Sequence, residues 1–195
     1  MSANLHALTH AVIPVAGFGT RMLPLSKAVP KELLPLGNKP AIQYVIEEAI
    51  AAGLTNIVLV NHAQKMAIEN YFDINSELDT QLRQKGKDTL ADSLNWLPEG
   101  VTITSVRQGK PLGLGHAVLQ ARAVVGDHPF AVLLPDVIVN PYASDYNNQN
   151  LAFMLNQFNT DHHSQILVDP VADSDISKYG IAKLEAAQKI QKTDA

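Results

Sequence analysis

Residues 11–35, AVIPVAGFGTRMLPLSKAVPKELLP, begin with an apolar run suited to a buried strand and pass directly into Ala16-Gly17-Phe18-Gly19-Thr20-Arg21. A strand that empties into such a turn can present backbone N–H groups to a bound anion, because Gly17 and Gly19 carry no Cβ to stand in the way. Thr20, Arg21, Lys27 and Lys31 add a hydroxyl and three cations within the same stretch. Together these groups suit phosphate. Lys27 reads equally well as a solvated surface lysine.

Outward from this turn, Ile42, Val45, Ile46, Ala49 and Ile50 recur at helical spacing and predict a helix to about Ala52, with Gly53 at its C-terminal cap. Residues 57–60 predict a second buried strand, which makes the first sixty residues a strand–helix–strand unit of a parallel sheet. Residues 61–98 read as helical pieces with a break at Gly86, and residues 101–106 as a half-buried strand leading into Arg107-Gln108-Gly109. Lys110-Pro111-Leu112-Gly113-Leu114-Gly115-His116 is a second glycine-rich loop, opening a helix from about His116 to Arg122. Residues 130–134 predict a third buried strand ending at Pro135-Asp136, and Leu151, Met154, Leu155 and Phe158 mark another amphipathic helix. Two more strands are expected at residues 165–168 and 181–184, the second entered through Tyr179-Gly180.

The alternation of strand and helix predicts an α/β fold, a Rossmann-like α/β/α sandwich around a mainly parallel, mixed sheet. With neither repeat nor linker, one domain over residues 1–195 is expected. Ligands of such sheets gather beyond the carboxyl ends of the strands. The first glycine loop, Gln108, the second glycine loop and Asp136 all follow predicted strands, so one cleft would hold them.

At 46% apolar residues the chain can bury a proper core, while a net charge of −4 without long basic runs argues against nucleic-acid or membrane partners. The absence of cysteine removes disulfides, thiolate metal sites and a cysteine nucleophile. No signal peptide is evident and no apolar run approaches the roughly 18 residues of a membrane helix, which together predict a cytoplasmic protein. The seven histidines show no metal-ligand spacing, and His162-His163 reads as a solvated pair. Asp136 is a candidate Mg²⁺ ligand, since magnesium takes only one or two protein carboxylates and fills its octahedron with water and phosphate. A strand-end aspartate can also simply cap a turn.

The dinucleotide fingerprint G-x-G-x-x-G starts correctly at Gly17 and Gly19 but meets Met22 at its third glycine, and no G-x-x-x-x-G-K-[ST] occurs. The full string G-x-G-T-R-M-x-P-x-x-K-x-x-P-K-E-L-L-P instead closely resembles the signature of the sugar-1-phosphate nucleotidyltransferases. The likeness runs from about Leu8 to Leu184. It implies joining UTP to glucose 1-phosphate, with Mg²⁺, to give UDP-glucose and pyrophosphate; Val-Arg-Gln-Gly and Gly-Leu-Gly-His favour the uridylyl-transferring branch over one using dTTP or another sugar. By the same resemblance Arg21 and Lys31 serve catalysis on the triphosphate. Ala16, Gly17, Gly19, Thr20, Glu32, Gln108, Gly113 and His116 contact the nucleotide, Gln108 using its amide as donor and acceptor on the uracil edge. Gly180 meets the sugar and Asp136 the metal. On the residues alone an Arg-Gln-Gly turn, a Tyr-Gly strand entry and a histidine at a helix start are also ordinary turn features. Family members run longer, and their Glu-Lys-Pro motif and second metal aspartate have no counterpart here. The chain is therefore expected to be the nucleotide-binding N-terminal part of the enzyme, binding UTP and Mg²⁺ with impaired turnover; a non-catalytic regulatory paralogue is the rival, and a homo-oligomeric state is left open.

Overall fold

The computed structural model describes residues 7–178 and 180–182, and the chain divides into two units, Met1–His162 and His163–Ala195. In the first unit, strands β1 (His10–Pro14), β4 (Asn56–Asn61), β5 (Thr102–Arg107) and β6 (Phe130–Val132) form one sheet in the order β5-β4-β1-β6. Every pair in it is parallel, with Ala11 opposite Ile57, Val60 opposite Val106 and Val12 opposite Val132. A two-residue antiparallel pair, β2 (Pro35–Leu36) with β3 (Lys39–Pro40), closes the signature stretch.

Period-two alternation explains why β1 and β4 are apolar at nearly every position. Ala11, Ile13, Val15, Ile57 and Leu59 face one layer, where they meet Ile42, Val45, Ile46 and Ala49 of helix α1 (Ala41–Ala51). Val12, Val58 and Val60 face the other, against Ala117 of α5 (Leu114–Gln120), Ala121 at that helix's C-terminal cap and Val125 of α6 (Arg122–Val125). Two buried faces require two helical layers, which is the α/β/α sandwich expected from the sequence. Gly53, at φ +95, ends α1 as its capping position demands.

Between β4 and β5 run α2 (Met66–Phe72), α3 (Ser76–Gln84) and α4 (Asp88–Leu94), with Gly86 at φ +66 making the predicted break. α3 contributes no buried residue; it is tied to α4 by Arg83, which bonds Asp79 at 3.1 Å and Asp92 at 2.9 Å. The last helix of the unit, α7 (Leu151–Asp161), packs Leu151 and Leu155 into the α1 side of the core.

Two expectations need correction. The strand predicted at residues 130–134 is shorter, and Phe130, Val132 and Leu134 are 40%, 42% and 38% exposed. The cause is position: β6 pairs only with β1, so among the described residues it is an edge strand, and one of its faces is uncovered. Residues 165–168 form no strand; Ile166, Leu167 and Val168 are exposed and make no ladder among the described residues. An apolar run of that length becomes a strand only when a neighbour takes its backbone bonds. Of the strand expected at residues 181–184, Ile181 and Ala182 are described, exposed and in no ladder, while residues 183 and 184 lie outside the described residues, as does Tyr179. The described part of the second unit has one regular element, a 3-10 helix at Asp173–Lys178.

Candidate nucleotide and metal site

Chain order departs from sheet order at β1: β4 lies on one side of it and β6 on the other. A crevice opens at the carboxyl end of a parallel sheet where its strand order reverses. The glycine loop leaves β1 at that point. Val15 is still held by the β4 carbonyl of Val60 at 2.9 Å, but among the described residues none of the N–H groups of residues 16–21 donates to a protein acceptor. Backbone donors left uncommitted in a glycine turn are what an anion needs. Gly19 must be glycine: its φ is +64, and an added Cβ would lie 3.3 Å from both Lys31 Cβ and Ser26 Cβ. Ser26 Oγ donates to the Gly19 carbonyl at 2.8 Å and holds the loop closed. Thr20, Ser26 and Lys27 line a cavity of about 300 Å³ outside this turn.

Lys31 and Asp136, 105 residues apart, meet at 2.9 Å. Partial burial alone would raise the Asp136 carboxyl. The hydrogen bond and charge of Lys31, the residue's own backbone amide and the charge of Arg21 outweigh it and hold the carboxyl below its usual range. Arg21, Lys31 and Asp136 are thus one electrostatic group, drawn from the stretch after β1 and the segment after β6. The half-exposed Asp136 carboxylate offers a single oxygen-donor group, which fits Mg²⁺ only where water and phosphate oxygens complete the octahedron. No cluster of three or more His, Asp or Glu side chains with metal-binding geometry exists among the described residues.

Glu32, expected at the nucleotide, has its carboxylate buried, 1% exposed, with both oxygens bonded to Lys65 Nζ at 3.1 and 2.9 Å. Lys65 is the site residue that sequence reasoning missed. Its only signal was a lysine immediately after a buried strand and short turn, a pattern shared by many solvated lysines.

On the far side, Gln108 is buried at the end of β5. Its Nε2 donates to the Gly113 carbonyl at 3.1 Å and lies 3.0 Å from His116 Nδ1. A carbonyl can only accept, so the amide nitrogen must face Gly113, and its other proton is directed at His116 Nδ1. Both protons of the amide nitrogen are committed. Gln108 Oε1 has no partner, and since no buried side-chain polar atom of the described residues is unpaired, this oxygen reaches solvent. Gly113, at φ +95, allows the turn that brings its carbonyl back to Gln108. Ala16 is buried below the loop and Gly17 and Thr20 are exposed above it, while Gly180 belongs to the second unit.

Parallel-sheet topology, a loop with uncommitted amides and a cation–carboxylate group beyond the strand ends define an α/β domain with a candidate anion site. The chain matches the nucleotidyl transferase family over residues 10–193 and belongs to that family. Among curated relatives it is 54% identical over 189 residues to the UTP–glucose-1-phosphate uridylyltransferase of Escherichia coli (strain K12), covering 96% of this chain and 62% of the relative. It is 52% identical over 173 residues to the Haemophilus influenzae protein of the same name, covering 88% and 59%. Among solved structures, the UTP-bound UGPase from Acinetobacter baumannii superposes with a TM-score of 0.87 at 46% identity, over 93% of this chain and 63% of that one. The chain therefore spans 58% to 62% of the length of such curated relatives.

Proposed function

We propose that residues 1–195 belong to a single nucleotidyltransferase domain that binds UTP with Mg²⁺ for the transfer of uridylate to glucose 1-phosphate. The family match runs through both units of the chain and supports reading them as one domain. The observation that supports the reading is that the loop after β1, whose six amides of residues 16–21 are uncommitted among the described residues, also carries Arg21, whose charge acts on the Asp136 carboxylate paired with Lys31.

In the proposed reaction an oxygen of glucose 1-phosphate forms a bond to the α-phosphorus of UTP as the bond to the β-phosphate oxygen breaks. UDP-glucose and pyrophosphate result, and no protein nucleophile is needed. The loop amides and the Arg21 fork hold triphosphate oxygens in place. Lys31, 21% exposed and paired only with a surface carboxylate, can turn to the incoming triphosphate and neutralise charge that develops there. Asp136 would hold the Mg²⁺, which when bound offsets negative charge on the phosphate oxygens. Gln108 Oε1 accepts from the N3–H of uracil, and Gly113 and His116 fix its orientation. Gly180 is assigned to the sugar. Cytoplasmic residence, no nucleic-acid or membrane partner, and self-association as the open alternative to a monomer complete the reading; among the described residues no helix is long and apolar enough to cross a membrane.

The test is calorimetric titration of this chain with UTP in Mg²⁺, against dTTP and CTP, with UDP-glucose formation followed in the same preparation. UTP binding that outcompetes dTTP and CTP is expected. Absence of UTP binding, or a preference for CTP, would overturn the reading.

A further inference from the structure

An ammonium has three protons, and Lys65 spends them inside the protein. Its Nζ donates to the Val15 carbonyl at 2.8 Å, to the Gly17 carbonyl and to the Glu32 carboxylate. The lysine is itself held from behind: Asn61, fully buried at the end of β4, donates from Nδ2 to the Lys65 carbonyl at 3.1 Å. The ammonium is thus anchored to the sheet and fastened to alternate carbonyls of the loop that follows β1.

In a planar trans peptide the carbonyl of one residue and the N–H of the next point in opposite directions. Drawing the carbonyls of Val15 and Gly17 toward Lys65 therefore turns the N–H groups of Ala16 and Phe18 away from it, and neither amide donates within the protein. The third acceptor, Glu32, stands next to Lys31 on one 3-10 turn, Lys31–Leu33. One ammonium thereby sets both the loop's exposed donors and the turn that presents Lys31.

We propose that Lys65 is the positioning residue of the phosphate site, orienting the amides of Ala16 and Phe18 through their preceding carbonyls without touching the nucleotide itself. The proposal rests on the nucleotide-binding reading above. A buried ion pair serving stability alone would make no distinction among ligands, whereas a residue that aims phosphate-facing amides affects the triphosphate and spares the base.

The experiment compares UTP with Mg²⁺ against uridine, which carries the base and no phosphate, in the unmutated chain, Lys65→Met, Lys65→Met/Glu32→Gln and the control Glu32→Gln. The double variant leaves no charge buried alone and carries the comparison if Lys65→Met fails to fold. Relative to the control, UTP affinity should fall about tenfold or more while uridine affinity stays within about twofold. Equal losses for both ligands, or full retention of UTP affinity, would overturn the proposal. In the unmutated chain, tripolyphosphate should shift the amide resonances of Ala16 and Phe18; binding that leaves both unmoved would overturn it independently of any variant. An unmutated chain that binds neither UTP nor tripolyphosphate would instead overturn the nucleotide reading itself.

Discussion

Lys65 meets Glu32 at 2.9 Å and Lys31 meets Asp136 at the same distance, but the first pair is 9% and 1% exposed and the second 21% and 53%. Length is no guide to their roles. The buried ammonium has three protein acceptors and no water to fall back on, so it can release none of them cheaply. The exposed ammonium has one partner and solvent at hand, so exchanging the Asp136 carboxylate for a phosphate oxygen costs little. Burial makes one pair a fastening and leaves the other available for ligand.

The largest effect should come from breaking the buried pair. Lys65→Met alone is expected to lose about 3–5 kcal/mol in urea unfolding, by stranding the Glu32 charge and two loop carbonyls. Lys31→Met should lose less than about 1 kcal/mol in the same assay. Similar losses in the two variants would dissolve the contrast.

Ligand binding should not follow that ranking. Arg21→Met and Lys31→Met are each expected to weaken UTP about tenfold or more in calorimetry, with the melting temperature almost unchanged and the loss largest at low salt. A next, smaller effect concerns the loop between the pairs. Gly19→Ala, at φ +64 and with Cβ contacts of 3.3 Å, should cost about 1–2 kcal/mol, whereas Gly17→Ala, where a Cβ meets nothing within 4 Å, should stay within about 0.5 kcal/mol.

Acid sharpens the comparison further. The depressed Asp136 carboxyl contributes stability that is present above the ordinary carboxylate range and lost as pH falls through its lowered value. The small stability difference between the unmutated chain and Asp136→Asn should therefore vanish on acidification, and a difference that grows would contradict the sign. Glu48 behaves oppositely: burial raises its carboxyl against a lowering bond from the Leu151 amide at the start of α7. Its contribution is full in acid and lost as pH rises through the raised value. Glu48→Gln should thus gain roughly 0.5 kcal/mol at neutral pH and nothing in acid, which thermal melts at the two pH values would show.

The helical layer on α1 and the parallel pairing of β1 with β4 were legible because they are periodic or local: a 3.6-residue stripe, a short apolar run, a glycine at a turn. The glycine turn after β1 was legible for the same reason, since Gly17, Gly19, Thr20 and Arg21 are contiguous. The strand expected at residues 130–134 was only half right, because an apolar run does not reveal whether a sheet continues beyond it. Residues 165–168 were misread for a related reason: strand propensity describes a side-chain pattern, while a strand exists only with a paired neighbour.

By itself, then, the sequence determined the α/β alternation, the glycine turn after β1 and the residue types gathered in it, because those depend on neighbours within a few positions. Tertiary structure decided which lysine is a fastening and which is available to ligand, that Gln108 keeps its oxygen and spends its nitrogen, and that Glu32 faces inward. Each of those outcomes depends on dielectric surroundings and on partners 5 to 105 residues away, set only when the strand ends converge.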